Sequence, residues 1–278
     1  MREKNTVCAV VVTYNRKNLL MECLDALRKQ TRPVQAIYLI DNASTDGTPE
    51  LLLEKGYIEK LPPKDLTEPW EKEFELKNLT DGQSIRFHYV RMHENTGGAG
   101  GFYEGVKRAY EKGYDWLWLM DDDTVSEKET LLKLQEKSSI LNEKKIGFIC
   151  SKVVWTDGTP HFMNLPSVKP IINGIPFNFY EDKEVLVVES ASFVSLLVNR
   201  KVIERVGLPL REFFIWADDV EYTLRITKSG FLGLYVRDSI AIHKTKTNYS
   251  ATTVYDWRFY YNVRNWLWIY RLHYRKKY

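Results

Sequence analysis

Residues 7–13 (VCAVVVT) form an unbroken apolar, β-branched run, which predicts a strand buried on both faces. Leu19, Leu20, Cys23, Leu24 and Leu27 then recur at helical spacing, predicting an amphipathic helix that ends before Pro33. Residues 36–40 (AIYLI) predict a second strand that stops at Asp41-Asn42. Thr48 is placed to cap the next helix, with Pro49 at its first position and Glu50 in its first turn, and the helix closes near Gly56. Strand, helix, strand, helix makes a parallel sheet with right-handed crossovers the expected architecture.

Residues 58–82 break that rhythm. Pro62, Pro63, Pro69 and the mixed-charge run EPWEKEFELKNLTDG predict an inserted surface loop or short helix. Residues 85–90 resume as a strand, residues 95–101 (NTGGAGG) predict a glycine-rich turn, and a helix follows over 102–112 with Gly113 past its end. Residues 114–124 (YDWLWLMDDDT) run from an apolar strand straight into three aspartates. Ser126 and Glu129 have capping-box spacing for a helix reaching about Leu141. A strand over 147–155 leads to a long connection over 156–182, and residues 185–198 are strand-like with small residues in their middle. A helix that follows an acidic cluster ends at Gly230, and two short strands, 231–236 and 240–242, lead to His243. With no repeat or linker in sight, one α/β domain is the simplest account.

Composition narrows the function. A net charge of +3 in 278 residues is too balanced to argue for nucleic acid as the main partner. Three widely spaced cysteines (Cys8, Cys23, Cys150) in apolar runs suit reduced, buried thiols of a cytosolic protein, and no CxxC or His/Cys cluster suggests zinc. The apolar run at the N-terminus is too short for a signal peptide, and no window approaches the roughly 20 apolar residues of a membrane span. The aromatic residues crowd between Tyr249 and Tyr278, as core packing, as a surface for sugars, or at a membrane interface.

The strand ends carry the chemistry. In a parallel sheet, Thr13-Tyr14-Asn15-Arg16, the segment from Asp41, Asn95 with its glycines, and Asp121-Asp122-Asp123 converge on one edge, where open α/β sheets bind ligands. Three adjacent carboxylates repel one another and call for a counter-charge, for which a divalent metal is the obvious candidate and a solvated acidic turn the plain alternative. The glycine turn lacks the dinucleotide-binding fingerprint and no P-loop occurs, but Asp41, the amides of residues 97–101 and the carboxylates outline a pocket for a nucleoside diphosphate.

VVVTYNR, IDNASTDGT, WLWLMDDDT and WADDVEYTLR, in that order, resemble the family 2 glycosyltransferases of GT-A fold over about residues 5–245. ENTGGAGGF and the triple aspartate are most similar to the galactofuranosyltransferase branch, with rhamnosyltransferases as near neighbours. The resemblance implies a single GT-A-like domain over 1–245, with a mostly parallel sheet and helices on both faces, and a helical extension over 246–278. It places the donor at Thr13, Tyr14, Asn15, Arg16, Asp41, Asn95, Gly97 and Gly98, with Asp121 and Asp122 beside them. Asp121 and Asp123 match metal-binding aspartates for Mn²⁺ or Mg²⁺, Asp122 faces the sugar or ribose, and His243, 24 residues beyond Asp219, matches a histidine ligand. Asp219 aligns with the base of an inverting transfer and Asp218 competes for that role; Glu221 falls at the acceptor, and Trp216 stacks on the acceptor sugar or simply packs. The implied substrates are a nucleotide sugar, UDP-galactofuranose first and dTDP-rhamnose second, and a glycan or lipid-linked glycan. A non-catalytic nucleotide- or glycan-binding protein is the competing class. YYNVRN (260–265) is similar to a stretch that follows the catalytic region, and the aromatic, basic tail suggests a helix at an anionic interface or one packed on the domain or a second subunit. The expected location is cytoplasmic, with peripheral membrane contact and homo-oligomerisation left open.

Overall fold

The computed structural model describes residues 5–139, 145–250, 253 and 255–274. Its first half holds β1 (Val7–Thr13), α1 (Lys17–Arg28), β2 (Ala36–Asp41), α2 (Thr48–Glu54), β3 (Trp70–Lys77), β4 (Ser84–Arg91), α3 (Gly97–Glu111), β5 (Trp116–Asp121) and β6 (Thr124–Ser126). Then come α4 (Thr130–Ser138), β7 (Ile146–Val154), β8 (Ile171–Ile172), β9 (Ile175–Pro176), β10 (Val185–Val188), β11 (Leu196–Asn199), α5 (Arg200–Val206), α6 (Asp218–Lys228), β12 (Leu232–His243) and α7 (Arg258–His273).

The main sheet has the order β10-β12-β7-β11-β5-β1-β2-β4-β3, with β6 added to β12. β1, β2, β4 and β5 are mutually parallel. β11 runs antiparallel between β5 and β7, and two reversals bring β7 and β12 back to the direction of β1. Thr13, Asp41, Asp121 and His243 therefore end at the same edge of the sheet. Alternation along β1 sends Val7, Ala9 and Val11 towards α1 and α4, and Cys8, Val10 and Val12 towards α3 and α6, so helices cover both faces.

Several local expectations change. Within 58–82, β3 is an antiparallel edge strand on β4, with Phe74 and Leu76 buried. Glu73, Glu75 and Lys77 alternate with them on the solvent side, and Lys72, exposed on the face of Phe74 and Leu76, breaks the two-residue period. α3 begins at Gly97, so the glycines form its first turns: a Cβ on Gly101 would stand 2.5 Å from Val12 Cγ1, and one on Gly105 2.3 Å from Val10 Cγ1. The capping box does not form, because Ser126 belongs to β6 and α4 starts at Thr130. The expected end of that helix at Leu141 lies outside the described residues. Gly47, with φ +85°, is the N-cap of α2 and Thr48 its first residue, so Thr48 does not cap it; the Thr48 amide donates to Asp46 Oδ1. Residues 185–198 split between the edge strand β10 and the interior strand β11, and the two short strands before His243 are one strand, β12, with a bulge between Val236 and Ile240. Among the described residues no helix is long and apolar enough to cross a membrane.

Candidate active site

The sheet edge opens into a set of adjoining hollows. A cavity of about 190 Å³ is lined by Asp121, Asp123, His243, Asp218 and Asp219, among others. A cleft beside it is lined by Thr13, Tyr14, Arg16, Asn42, Asn95, Gly97, Gly98, Asp121 and Asp122. On the other side a groove runs past Trp216, Asp219, Asn262 and Trp266. Asp219 and Trp216 line both the cavity and the groove.

Asp121 ends β5, Asp122 and Asp123 follow it, and His243 ends β12; one ligand atom from each of Asp121, Asp123 and His243 lies within 4.8 Å of the others. The His243 ring is oriented from behind: Nδ1 donates to Asn164 Oδ1 at 2.8 Å, while Asn164 Nδ2 donates to Ser192 Oγ at 2.9 Å. Nε2 is thereby turned to Asp123 Oδ1, 3.0 Å away. That oxygen is buried and has no hydrogen-bond partner of good geometry. An orphaned carboxylate oxygen in an Asp-Asp-His set fits a divalent cation with oxygen and imidazole ligands.

Arg16 also bonds Asp123 and lies 3.4 Å from Asp122. Asp122 also accepts from Thr13 Oγ1 at 2.7 Å. Burial pushes the Asp121 carboxyl up to about 6, with Asp123 adding to it against His243 and Arg16. Burial likewise lifts Asp122 to about 7, with Arg16 opposing. At Asp123 the neighbouring His243 and Arg16 outweigh burial and hold the carboxyl below its ordinary range.

The glycines act differently from a phosphate cradle. Gly97 donates its amide to Asn95 Oδ1, and Ala99 donates to the Phe214 carbonyl. Gly97 has φ +74°, and a Cβ there would stand 2.1 Å from Phe214 O, so this position requires glycine. Gly98 alone faces open space in the cleft.

Asp218 and Asp219 open α6. Burial drives Asp218 well above its ordinary value and Asp219 adds to this; burial lifts Asp219 to about 6 against the Val220 amide, which donates to it at 2.7 Å. The segment before them is strained, with Phe214, Trp216 and Ala217 at φ +63°, +66° and +63°, at a cost on the order of 1–3 kcal/mol per residue.

Three expected site residues stand elsewhere. Asp41 is fully buried behind the cleft, accepting from Tyr89 Oη and Arg91 Nη1, both at 2.7 Å, because the strand end turns its carboxylate into the sheet. Asn15 joins two loops, taking the Thr45 amide on its Oδ1. Glu221 lies one helical turn from the cavity, buried against Arg225 and His273. Conversely, Asn42, Asn164, Phe193 and Arg258 line the site unannounced. The small residues interrupting 185–198 were the visible sign of the turn holding Phe193; Asn164 and Arg258 gave none.

The sequence model described as "Glycosyl transferase family 2" matches residues 8–60 and 64–206. The chain belongs to this family. Galactofuranosyltransferase GlfT1 of Mycobacterium tuberculosis is 27% identical over 232 residues, covering 81% of this chain and 66% of the relative. Galactofuranosyltransferase GlfT1 of Mycolicibacterium smegmatis is 26% identical over 240 residues, covering 83% and 68%. The chain thus spans about two-thirds of the length of the curated relatives it matches. The mannosyltransferase PcManGT from Pyrobaculum calidifontis, solved with GDP-Man and Mn²⁺, superposes with a TM-score of 0.59 at 18% identity, covering 98% of this chain and 65% of that one. S. aureus TarS 1–349 with UDP gives 0.56 at 17%, covering 86% and 60%. This family 2 chain has the GT-A fold, as its mixed sheet and flanking helices already indicated.

Proposed function

We propose that this protein is a metal-dependent inverting glycosyltransferase that moves galactofuranose from UDP-galactofuranose to a hydroxyl of a glycan or lipid-linked glycan. The observation that carries the reading is Asp219, among the described residues the one carboxylate lining both the Asp-Asp-His cavity and the aromatic groove. A base at that boundary faces an anomeric carbon on one side and an acceptor hydroxyl on the other. The galactofuranose assignment rests on the names of the relatives.

In this reading the cleft beside Thr13, Asn42 and Asp122 receives the nucleoside, and Arg16 leaves the carboxylates for the diphosphate. Asp121, Asp123 and His243 would hold Mn²⁺ or Mg²⁺, which would supply positive charge against that growing on the leaving nucleoside diphosphate. Trp216 and Trp266 flank the acceptor sugar. Asp219 takes the hydroxyl proton as the oxygen bonds to the anomeric carbon and the bond to the diphosphate breaks. Asp218, more strongly buried, keeps its own proton. Contact of the tail with an anionic lipid surface belongs to the same proposal and rests on the exposed Phe259, Tyr260, Leu267 and Tyr270 of α7.

A panel of nucleotide sugars assayed for nucleotide release with and without Mn²⁺ tests the reading. Metal-dependent release from UDP-galactofuranose is expected; preference for dTDP-rhamnose would reassign the donor, and no release from any donor would favour a binding protein.

A further inference from the structure

The motif YYNVRN has no role in the donor cleft, yet α7 places its last two residues against the strained segment 213–217. Asn265 is fully buried. Its Nδ2 lies 3.0, 3.0 and 2.8 Å from the carbonyls of Phe213, Ile215 and Trp216. Its Oδ1 accepts from Arg264 Nε and Nη2, which fixes the amide so that its donors face that segment. Arg264 Nη2 also donates to the carbonyls of Glu212 and Phe213. Nearby, Tyr261 stacks on Phe214 at 5.0 Å, and the Arg258 guanidinium lies 4.8 Å from the Trp216 ring centre.

The carbonyls gathered by Asn265 belong to a backbone that regular structure cannot satisfy. Phe214 (φ 63°, ψ −61°) forms a tight three-residue turn closed by Ile215 N–H to Phe213 O at 2.7 Å. Two more left-handed residues, Trp216 and Ala217, lead directly into Asp218 and Asp219. Without a buried donor these carbonyls would turn to water and the segment would relax towards ordinary φ values, carrying Trp216 and the start of α6 with it.

We propose that Asn265, oriented by Arg264, is a positioning residue that holds segment 213–217 in its strained form and thereby sets Trp216 and Asp219 at the boundary of cavity and groove. The proposal rests on the reading of Asp219 as the base for its catalytic consequence, but not for its structural one.

The test uses the whole chain and the variant Asn265→Ala, followed by hydrogen–deuterium exchange and by Mn²⁺-dependent nucleotide release from UDP-galactofuranose. Exchange is expected to rise at least tenfold at residues 213–219 and to stay unchanged in β1 and β5. The turnover number should fall about a hundredfold, while UDP affinity in Mn²⁺ changes less than fivefold, since Arg16, Asn42 and Asp122 stand on other elements. Adding Ala217→Gly, which accepts a positive φ without strain, should recover part of the lost turnover. Should Asn265→Ala fail to fold, Arg264→Met, which frees the amide to flip, is expected to shift the same readouts in the same direction by less. Unchanged exchange at 213–219, exchange raised equally throughout the chain, or a turnover loss that only tracks the unfolded fraction would overturn the proposal. A wild type that releases no nucleotide removes the assignment of Asp219 while leaving the exchange result to decide the clamp.

Discussion

On the side of the Asp-Asp-His cavity the polar groups stand on the sheet itself: Asp121 ends β5, His243 ends β12, and Thr13 ends β1. On the side of the aromatic groove Trp216 and Asp219 hang from a segment with three residues of positive φ, tied down by a helix some fifty positions later. The first construction takes its geometry from strand pairing that the core enforces, at little local cost. The second is held by side-chain hydrogen bonds to main-chain carbonyls and stores strain. A binding edge of this family 2 chain thus joins a rigid wall to one that single polar residues can release.

The sharpest test of that division separates Asp219 from Asp218. Asp219→Asn is expected to lower transfer by 10²–10⁴-fold, the usual worth of a general base, with UDP binding nearly unchanged; lost binding would make Asp219 structural. Asp218→Asn should cost less than tenfold, because a carboxyl held protonated by burial is close to an amide in shape and charge. Because burial raises Asp219 to about 6 from an ordinary value near 4, the folded state favours its protonated form. The metal-free protein therefore loses stability as pH rises through that interval. At pH 7.5 Asp219→Asn should melt about 2–5 °C higher, and at pH 4 the two should coincide. Turnover of the wild type should rise through pH 6 as the base loses its proton.

On the rigid side, Asp123→Ala or His243→Ala should weaken Mn²⁺-dependent UDP binding by at least a hundredfold in calorimetry, and Asn164→Ala by roughly tenfold, the size expected when a ligand's supporting hydrogen bond is lost. Binding that ignores the metal in the wild type would refute the cation site. Gly97→Ala probes the seam between the halves: its Cβ would collide with Phe214 O, so donor affinity and turnover should fall together. Gly98→Ala, with open space beside it, should leave the melting temperature unchanged and cost only donor affinity. The smallest effect is expected at the tail, where removing residues 270–278 should lower partition onto anionic vesicles a few-fold, measured by sedimentation.

Legibility in the sequence followed the same division. The β-branched run of β1, the apolar run of β5 and the position of His243 announced the rigid wall, because strand burial and strand ends are written in contiguous residues. Asn164 and Arg258 were invisible, since each reaches the site from an irregular or distant segment and one polar residue in such a segment has no period. Glu221 misled because an acidic cluster at a helix start does not say which face each carboxylate takes. The motif YYNVRN was visible as a motif, but its three carbonyl partners depend on a backbone turn that no residue pattern encodes.

β3 carries a consequence of its own. It closes the sheet order, and Lys72, Glu73, Glu75 and Lys77 along it are all exposed. An edge strand with free amides and carbonyls invites another chain to add to it, and charged side chains on both of its faces make such an addition desolvate several ions at once. The residues that disguise this strand as an insertion are thus its protection against aggregation; replacing them with threonine would leave the site intact and put the solubility of the protein at risk.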